Sequence, residues 1–528
     1  MFDILIKNGT IIDGTLNKPY KANVAISGDK LSIVNGEPEA KKVIDAQGKY
    51  VTPGFIDTHS HSSMPVNATP YLAPKVFQGI TTEVVGQDGM GPAPVTESTL
   101  APWKITMAGL EGDYNVEWNW RSVEDYLNHL ETLDLSTNIC YLAPHGNLRM
   151  VSMGLENKKP TEEELERMKQ ELQKAFDAGA FGMSTGMIYP PCCYADVDEF
   201  IELGKVIAQN GGLFVTHQRS EADYILPSMD EILKIGRESG CRVHFSHFKI
   251  CGKSNWDKVP KVIEKLDNAK KENLTVSFDQ YPYVAGSTMM SVILPPWAHA
   301  GGTEKLIKRL EDPKLREKMK NDIKHGIEGW DNFIDFAGLD GIFITFVKHK
   351  DAEKYIGMSL IQLGEATHKD PLDAIFDLIH DEENMVGLVD FYGTEEHVKL
   401  FMSRDEQNFC TDGIFGGKPH PRLYGTFTRV LSKYTRDEKL FPIEVAIHKM
   451  TGKPADVLGL TDRGYLKDGF AADVLVINPE TVKDVGDFIN PNQYSRGIDY
   501  SIVNGKILID NGKKNPQKAG RVLKFQKR

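Results

Sequence analysis

Apolar and polar residues alternate along the first fifty positions, in "DILIKNGTIIDGT", "KANVAISGDKLSIV" and "KVIDAQGKYVTPG". A period of two marks strands with one buried face. The Asn8-Gly9 and Gly28-Asp29 pairs between the runs are hairpin signals. The alternation returns near the other end in "ADVLVINPETV" and "YSIVNGKILIDNG". Chain termini often lie close together, so the two ends predict one small β-sandwich domain, built from residues 1–53 and 431–528 with a linking helix.

Between residues 54 and 430 the pattern changes to short apolar runs separated by helical stretches. Eight runs read as strands: "GFIDTH", "TTEVVG", "NICYLAP", "FGMSTG", "LFVTH", "VHFSH", "TVSFDQYPY" and "NFCTD". Segments such as "TEEELERMKQELQKAFDAG" and "VPKVIEKLDNAKKEN" place apolar residues three and four apart, as helices do. Strands alternating with helices imply a parallel sheet, and eight is the number that closes a barrel. The expected fold class is α/β, a (β/α)8 TIM-like catalytic barrel over residues 54–430. Well over 100 residues separate the seventh and eighth strands, including "STMMSVILPPWAHAGG" and "EKLIKRLEDPKLREKMKNDIK". A connection of that length predicts an inserted lid, placed at about 286–350.

The 528 residues carry a net charge of −12. That balance argues against a phosphate-backbone binder, and no nucleic-acid partner is expected. The first residues lack the basic start and continuous apolar core of a signal peptide, and no run of about 18 apolar residues suggests a membrane span. Six cysteines, at 140, 192, 193, 241, 251 and 410, form no repeating framework. They read as reduced thiols of a cytoplasmic protein.

In a barrel of this kind the active site lies at the carboxyl ends of the strands. The first strand ends in His59 and His61, the second runs into Gly86-Gln87-Asp88-Gly89, the fifth ends at His217, the sixth at His247 and the eighth at Asp412. Imidazole and carboxylate donors in this mixture suit zinc. His59 and His61 are candidates for one ion, His217 and His247 for another, and Asp88 for a bridge between them. A metal so placed activates water and polarises a carbonyl. Asp412 is then the candidate general base, passing the proton on to the leaving nitrogen.

These strand ends resemble the metal-dependent amidohydrolase superfamily, and within it the D-aminoacylase (N-acyl-D-amino-acid deacylase) family. The resemblance rests on "GFIDTHSHSS", "GITTEVVGQDGMGPAP", "GMSTGMIYPP", "THQRSE", "FSHFKICGKSNW", "DQYPYVAGST", "LPPWA", "HPRLYGTFTRVL" and "HKMTGKPADVLGL", and covers nearly the whole chain. It implies a hydrolase of N-acylated amino acids of the D series with one or two zinc ions. It also implies that Lys249, Tyr281 and Ser287 hold the substrate, with Lys249 against its free carboxylate, and that Tyr189 hydrogen-bonds near the scissile carbonyl. The family's second-strand motif reads Gly-Asn-Cys-Gly with a metal-bound cysteine, whereas Asp88 stands here. The harder carboxylate puts metal preference and metal count in question. Arg219 and Arg422 are candidates for carboxylate recognition or for structural ion pairs, His145 for a substrate contact or a strand-end hydrogen bond, and Trp297 for the acyl pocket or a lid anchor. The rival reaction is a cyclic-amide hydrolysis of the hydantoinase or dihydroorotase type, which typically uses a carboxylated lysine on strand four; "FGMSTG" has none. A non-catalytic binding protein is the remaining alternative.

Overall fold

A computed structural model describes residues 1–527. All eight expected strands form: β1 Phe55–Asp57, β2 Ile80–Val85, β3 Asn138–Tyr141, β4 Gly182–Gly186, β5 Leu213–His217, β6 Arg242–Phe245, β7 Val276–Gln280 and β8 Gln407–Phe409. β1, β2 and β3 pair in parallel. The short continuation Ala143–Pro144 pairs with β4, and the ladder runs on through β5, β6, β7 and β8. A parallel bridge Ser60–Gly413 brings the segment after β8 beside the one after β1.

Local sequence explains the elements that carry this sheet. Every residue of "ITTEVV" in β2 is buried, because helices cover one face and the sheet's own interior the other. The helix Glu162–Ala178 starts where Thr161 and Glu164 cap each other's backbone N–H groups, and buries Met168, Leu172, Ala175 and Phe176. It stops at Gly179, whose φ of 110° a side chain would oppose.

Two boundaries differ from the sequence reading. The insertion after β7 does not end near residue 350. Its antiparallel sheet has Gly387–Phe391 as the middle strand, between Ala285–Met289 and Ile342–Phe346. Alternation over so short a strand, far from its partners in sequence, gave no sign of it. Nor does the terminal body begin at residue 431. A continuous helical run crosses that point, from Arg422–Arg429 into Val430–Asp437. The later helix Gly452–Leu458 buries Ala455 and Leu458 against Ile56, Val84 and Val215 of the parallel sheet.

Both termini do share one seven-stranded sheet, joined where Tyr50–Pro53 pairs antiparallel with Val474–Ile477. A four-stranded sheet around Phe2–Lys7 packs on it through a common core that includes Ile4, Ile6, Val24, Val51, Val474 and Ile502. The last residues return to the parallel sheet, where Ile139 N–H donates to Arg521 O and Leu523 N–H to Ile139 O. Among the described residues, no helix is long and apolar enough to cross a membrane.

Candidate active site

His59 and His61 stand just past β1, His217 ends β5, His247 lies two residues past β6, and Asp88 and Asp412 three residues past β2 and β8. The turn that presents Asp88 is tight. Gly86, Asp88 and Gly89 all have positive φ, and a Cβ on Gly89 would come within 2.5 Å of Cys192 Sγ. His247 is held at a φ of 35°. Its backbone N–H donates to Asp279 Oδ1 at 2.5 Å, and Asp279 also accepts from His244 and Thr58. Under the strand ends, the fully buried Lys75 donates to Asp57, Ser60 and Thr411, tying β1 to the end of β8.

These placements gather two donor groups that share one carboxylate. His59, His61, Asp88 and Asp412 form the first group and Asp88, His217 and His247 the second, with the ligand atoms of each within 4.8 Å of one another. Asp88 Oδ2 lies 3.5 Å from Nε2 of both His59 and His61, and Oδ1 lies 3.8 Å from His247 Nε2. His217 Nδ1 and His247 Nε2 are 3.0 Å apart. Both ring nitrogens of His59, His61 Nδ1 and Asp88 Oδ1 are buried with no hydrogen-bond partner among the described residues. Burying unpaired polar atoms costs about 1–3 kcal/mol each; a cation they coordinate together removes that cost. The donor set fits zinc.

The charges favour the same conclusion. Burial opposes protonation of His61, yet Asp412, Asp88 and Glu111 raise its affinity for positive charge well above that of an ordinary imidazole. Burial pushes His217 down to about 3, whereas the carboxylates of Glu221, Asp412 and Asp88 draw His247 up to about 9 against burial and Lys249. Burial would raise the Asp412 carboxyl, but the Arg422 guanidinium and the imidazoles of His59 and His247 hold it well below the usual range. Arg422 Nη1 lies 2.8 Å from Asp412 Oδ2, while Oδ1 faces His61 Nε2 at 3.1 Å.

A cavity opens over these groups, walled by Tyr189, Glu221, Lys249, Tyr281, Ser287 and Arg422 among others. Lys249 Nζ pairs with Glu221 Oε2 at 2.6 Å and touches His247 Nδ1 at 2.7 Å. Tyr189 and Thr288 hydroxyls are 2.8 Å apart, Tyr281 and Tyr392 hydroxyls 2.6 Å, and Ser287 Oγ donates to Leu388 O.

Arg219 is not among the cavity walls. Its guanidinium forks onto Glu231 and donates to the Cys193 and Ala195 carbonyls, a structural clamp. Trp297 donates to Asp322 within the insertion and lies under Lys318, so it anchors that segment. His145 is a strand-end side chain between Thr185 and Glu199. Four residues that the sequence reading missed face the site: Glu221, Asp331 and Asp390 in the walls, and Glu111 behind His61 at 3.8 Å. Glu221 had a signal, four residues after His217 inside "THQRSE"; the others come from distant segments with no such spacing.

Comparison with known proteins identifies the family. The Amidohydrolase family model matches residues 42–264 and 402–509, on either side of the insertion. D-aminoacylase of Alcaligenes xylosoxydans xylosoxydans is 31% identical over 99% of this chain and 97% of its own. The chain belongs to the D-aminoacylase group of the amidohydrolase family. N-acyl-D-aspartate deacylase of the same organism is 32% identical over 99% of this chain and 95% of its own. The crystal structure of N-acyl-D-glutamate deacylase from Bordetella bronchiseptica, complexed with zinc and a phosphonate mimic of the tetrahedral intermediate, superposes with a TM-score of 0.83. It is 30% identical and each chain covers 99% of the other. Asp88 is the carboxylate shared by both donor groups.

Proposed function

We propose that this D-aminoacylase relative is a zinc-dependent hydrolase that removes the N-acyl group from N-acyl-D-amino acids. The observation that carries the reading is the pair of buried donor groups sharing Asp88, with Asp412 at their edge and a cavity above. We read the eight-strand order and the Ser60–Gly413 bridge as a (β/α)8 barrel, with the insertion as its lid and the terminal sheets as a β-sandwich.

His59, His61, Asp88, His217 and His247 would hold one or two zinc ions, and the bound metal supplies Lewis acidity that activates water and polarises the acyl carbonyl. Asp412 is kept ionised by Arg422 on Oδ2, and Oδ1, which faces His61 Nε2, would accept the proton of the attacking water and then deliver it to the departing amine nitrogen. The buried Tyr189 hydroxyl, now beside that of Thr288, would donate to the carbonyl oxygen as charge develops there. Lys249 and Arg422 face the cavity as cations for the substrate carboxylate, with Tyr281 and Ser287 beside them. Against a cyclic-amide reaction, β4 reads Gly-Met-Ser-Thr-Gly and supplies no lysine.

The test is removal and return of metal. Chelated protein should lose hydrolysis of an N-acetyl-D-amino acid and regain it with added zinc. Full turnover by metal-free protein would refute the proposed reaction.

A further inference from the structure

One wall carboxylate has no role in the chemistry above. Asp390 sits mid-strand in Gly387–Phe391, paired in register with Gly286, and is only 3% exposed. Both residues line the cavity. A Cβ on Gly286 would come 2.9 Å from Asp390 Oδ1, so the glycine leaves the carboxylate its room. The other wall carboxylates are engaged: Glu221 by Lys249, Asp412 by Arg422, and Asp331 by Ser220 Oγ and the Glu221 N–H. Asp390 makes no hydrogen bond or ion pair with another residue's side chain among the described residues. Burial pushes its carboxyl up to about 7, against the pull of Lys249 and Arg422. An arriving cation would restore the ionised form.

The surroundings select what that cation is. Phe333, Phe336 and Tyr392 line the same cavity. Aromatic faces beside a carboxylate bind an ammonium or guanidinium on an apolar stem. Asp390 is the wall carboxylate left without a cationic partner, so a second acidic group brought beside it by the substrate is disfavoured. Relatives of nearly equal identity are named for different side chains, aspartate and glutamate, so family membership alone does not fix the side chain.

We propose that Asp390 recognises a cationic side chain, so that the preferred substrates are N-acyl-D-amino acids with a lysine-, ornithine- or arginine-like side chain. The inference rests on the deacylase reading above. Its test compares kcat/KM of the zinc-loaded full chain on two near-isosteric pairs, N-acetyl-D-lysine against N-acetyl-D-norleucine and N-acetyl-D-arginine against N-acetyl-D-citrulline. Wild type should favour the cationic member by roughly tenfold or more, and Asp390→Asn should abolish that ratio. Gly286→Ala, which crowds the same carboxylate, should reduce it and serves as a second variant if Asp390→Asn does not fold. A wild-type ratio of one or less, or a ratio unchanged in a folded variant, overturns the proposal. Hydrolysis without a cationic preference defeats this inference alone, whereas no hydrolysis of any N-acetyl-D-amino acid defeats the deacylase reading.

Discussion

Asp88, His247 and Asp412 hold φ angles of 55°, 35° and 46°, a backbone region that few side chains adopt. Such strain persists only where surroundings over-determine it, and here Asp279 pins the His247 amide while Asp412 N–H donates to His59 O. The individual roles are separable by mutation. Asp412→Asn should keep bound zinc near the wild-type amount, measured by elemental analysis, while kcat falls by about 10²–10⁴, the usual worth of a general base. Asp88→Ala should lower zinc stoichiometry, because its carboxylate belongs to both donor groups. These site residues were legible because each directly follows an apolar strand. Lys75, Asp279 and Glu111 were not: they act on other side chains, so no spacing in sequence announces them.

At the scale of elements, the insertion after β7 is clasped to the loop after β5. Asp331 accepts from Ser220 Oγ at 2.5 Å and from Glu221 N–H at 2.7 Å. Burial raises its carboxyl to about 7 in the folded protein, from the ordinary value near 4 when unfolded. The folded state therefore binds the proton more tightly, and the associated stability is present below about pH 4 and lost as pH rises towards 7. Asp331→Asn cannot lose a proton, so its Tm should gain on that of wild type across that window in parallel thermal melts. A constant difference would remove Asp331 from the pH dependence. The eight strands were legible from unbroken apolar runs bounded by turns. The insertion's middle strand was not, because its partners Ala285–Met289 and Ile342–Phe346 lie some distance away in sequence and its pairing is non-local.

For the whole molecule, alternation at both ends showed that the termini meet, and the Tyr50–Pro53 pairing with Val474–Ile477 is that meeting. What alternation did not show is that the final residues lie along β3, since "GRVLKFQ" forms only a bridge there, at Ile139 and Val522. Deleting residues 519–528 strips backbone partners from Ile139, and should lower Tm by roughly several degrees in a calorimetric scan. Family membership, the two donor groups and the cavity converge on one reaction. It is tested most directly by the rate of free amino acid release from paired N-acetyl-D- and N-acetyl-L-amino acids, with a hydantoin and dihydroorotate alongside, on protein of known zinc content. The account predicts turnover of the linear D substrates in proportion to zinc; turnover of the cyclic amides alone would contradict it.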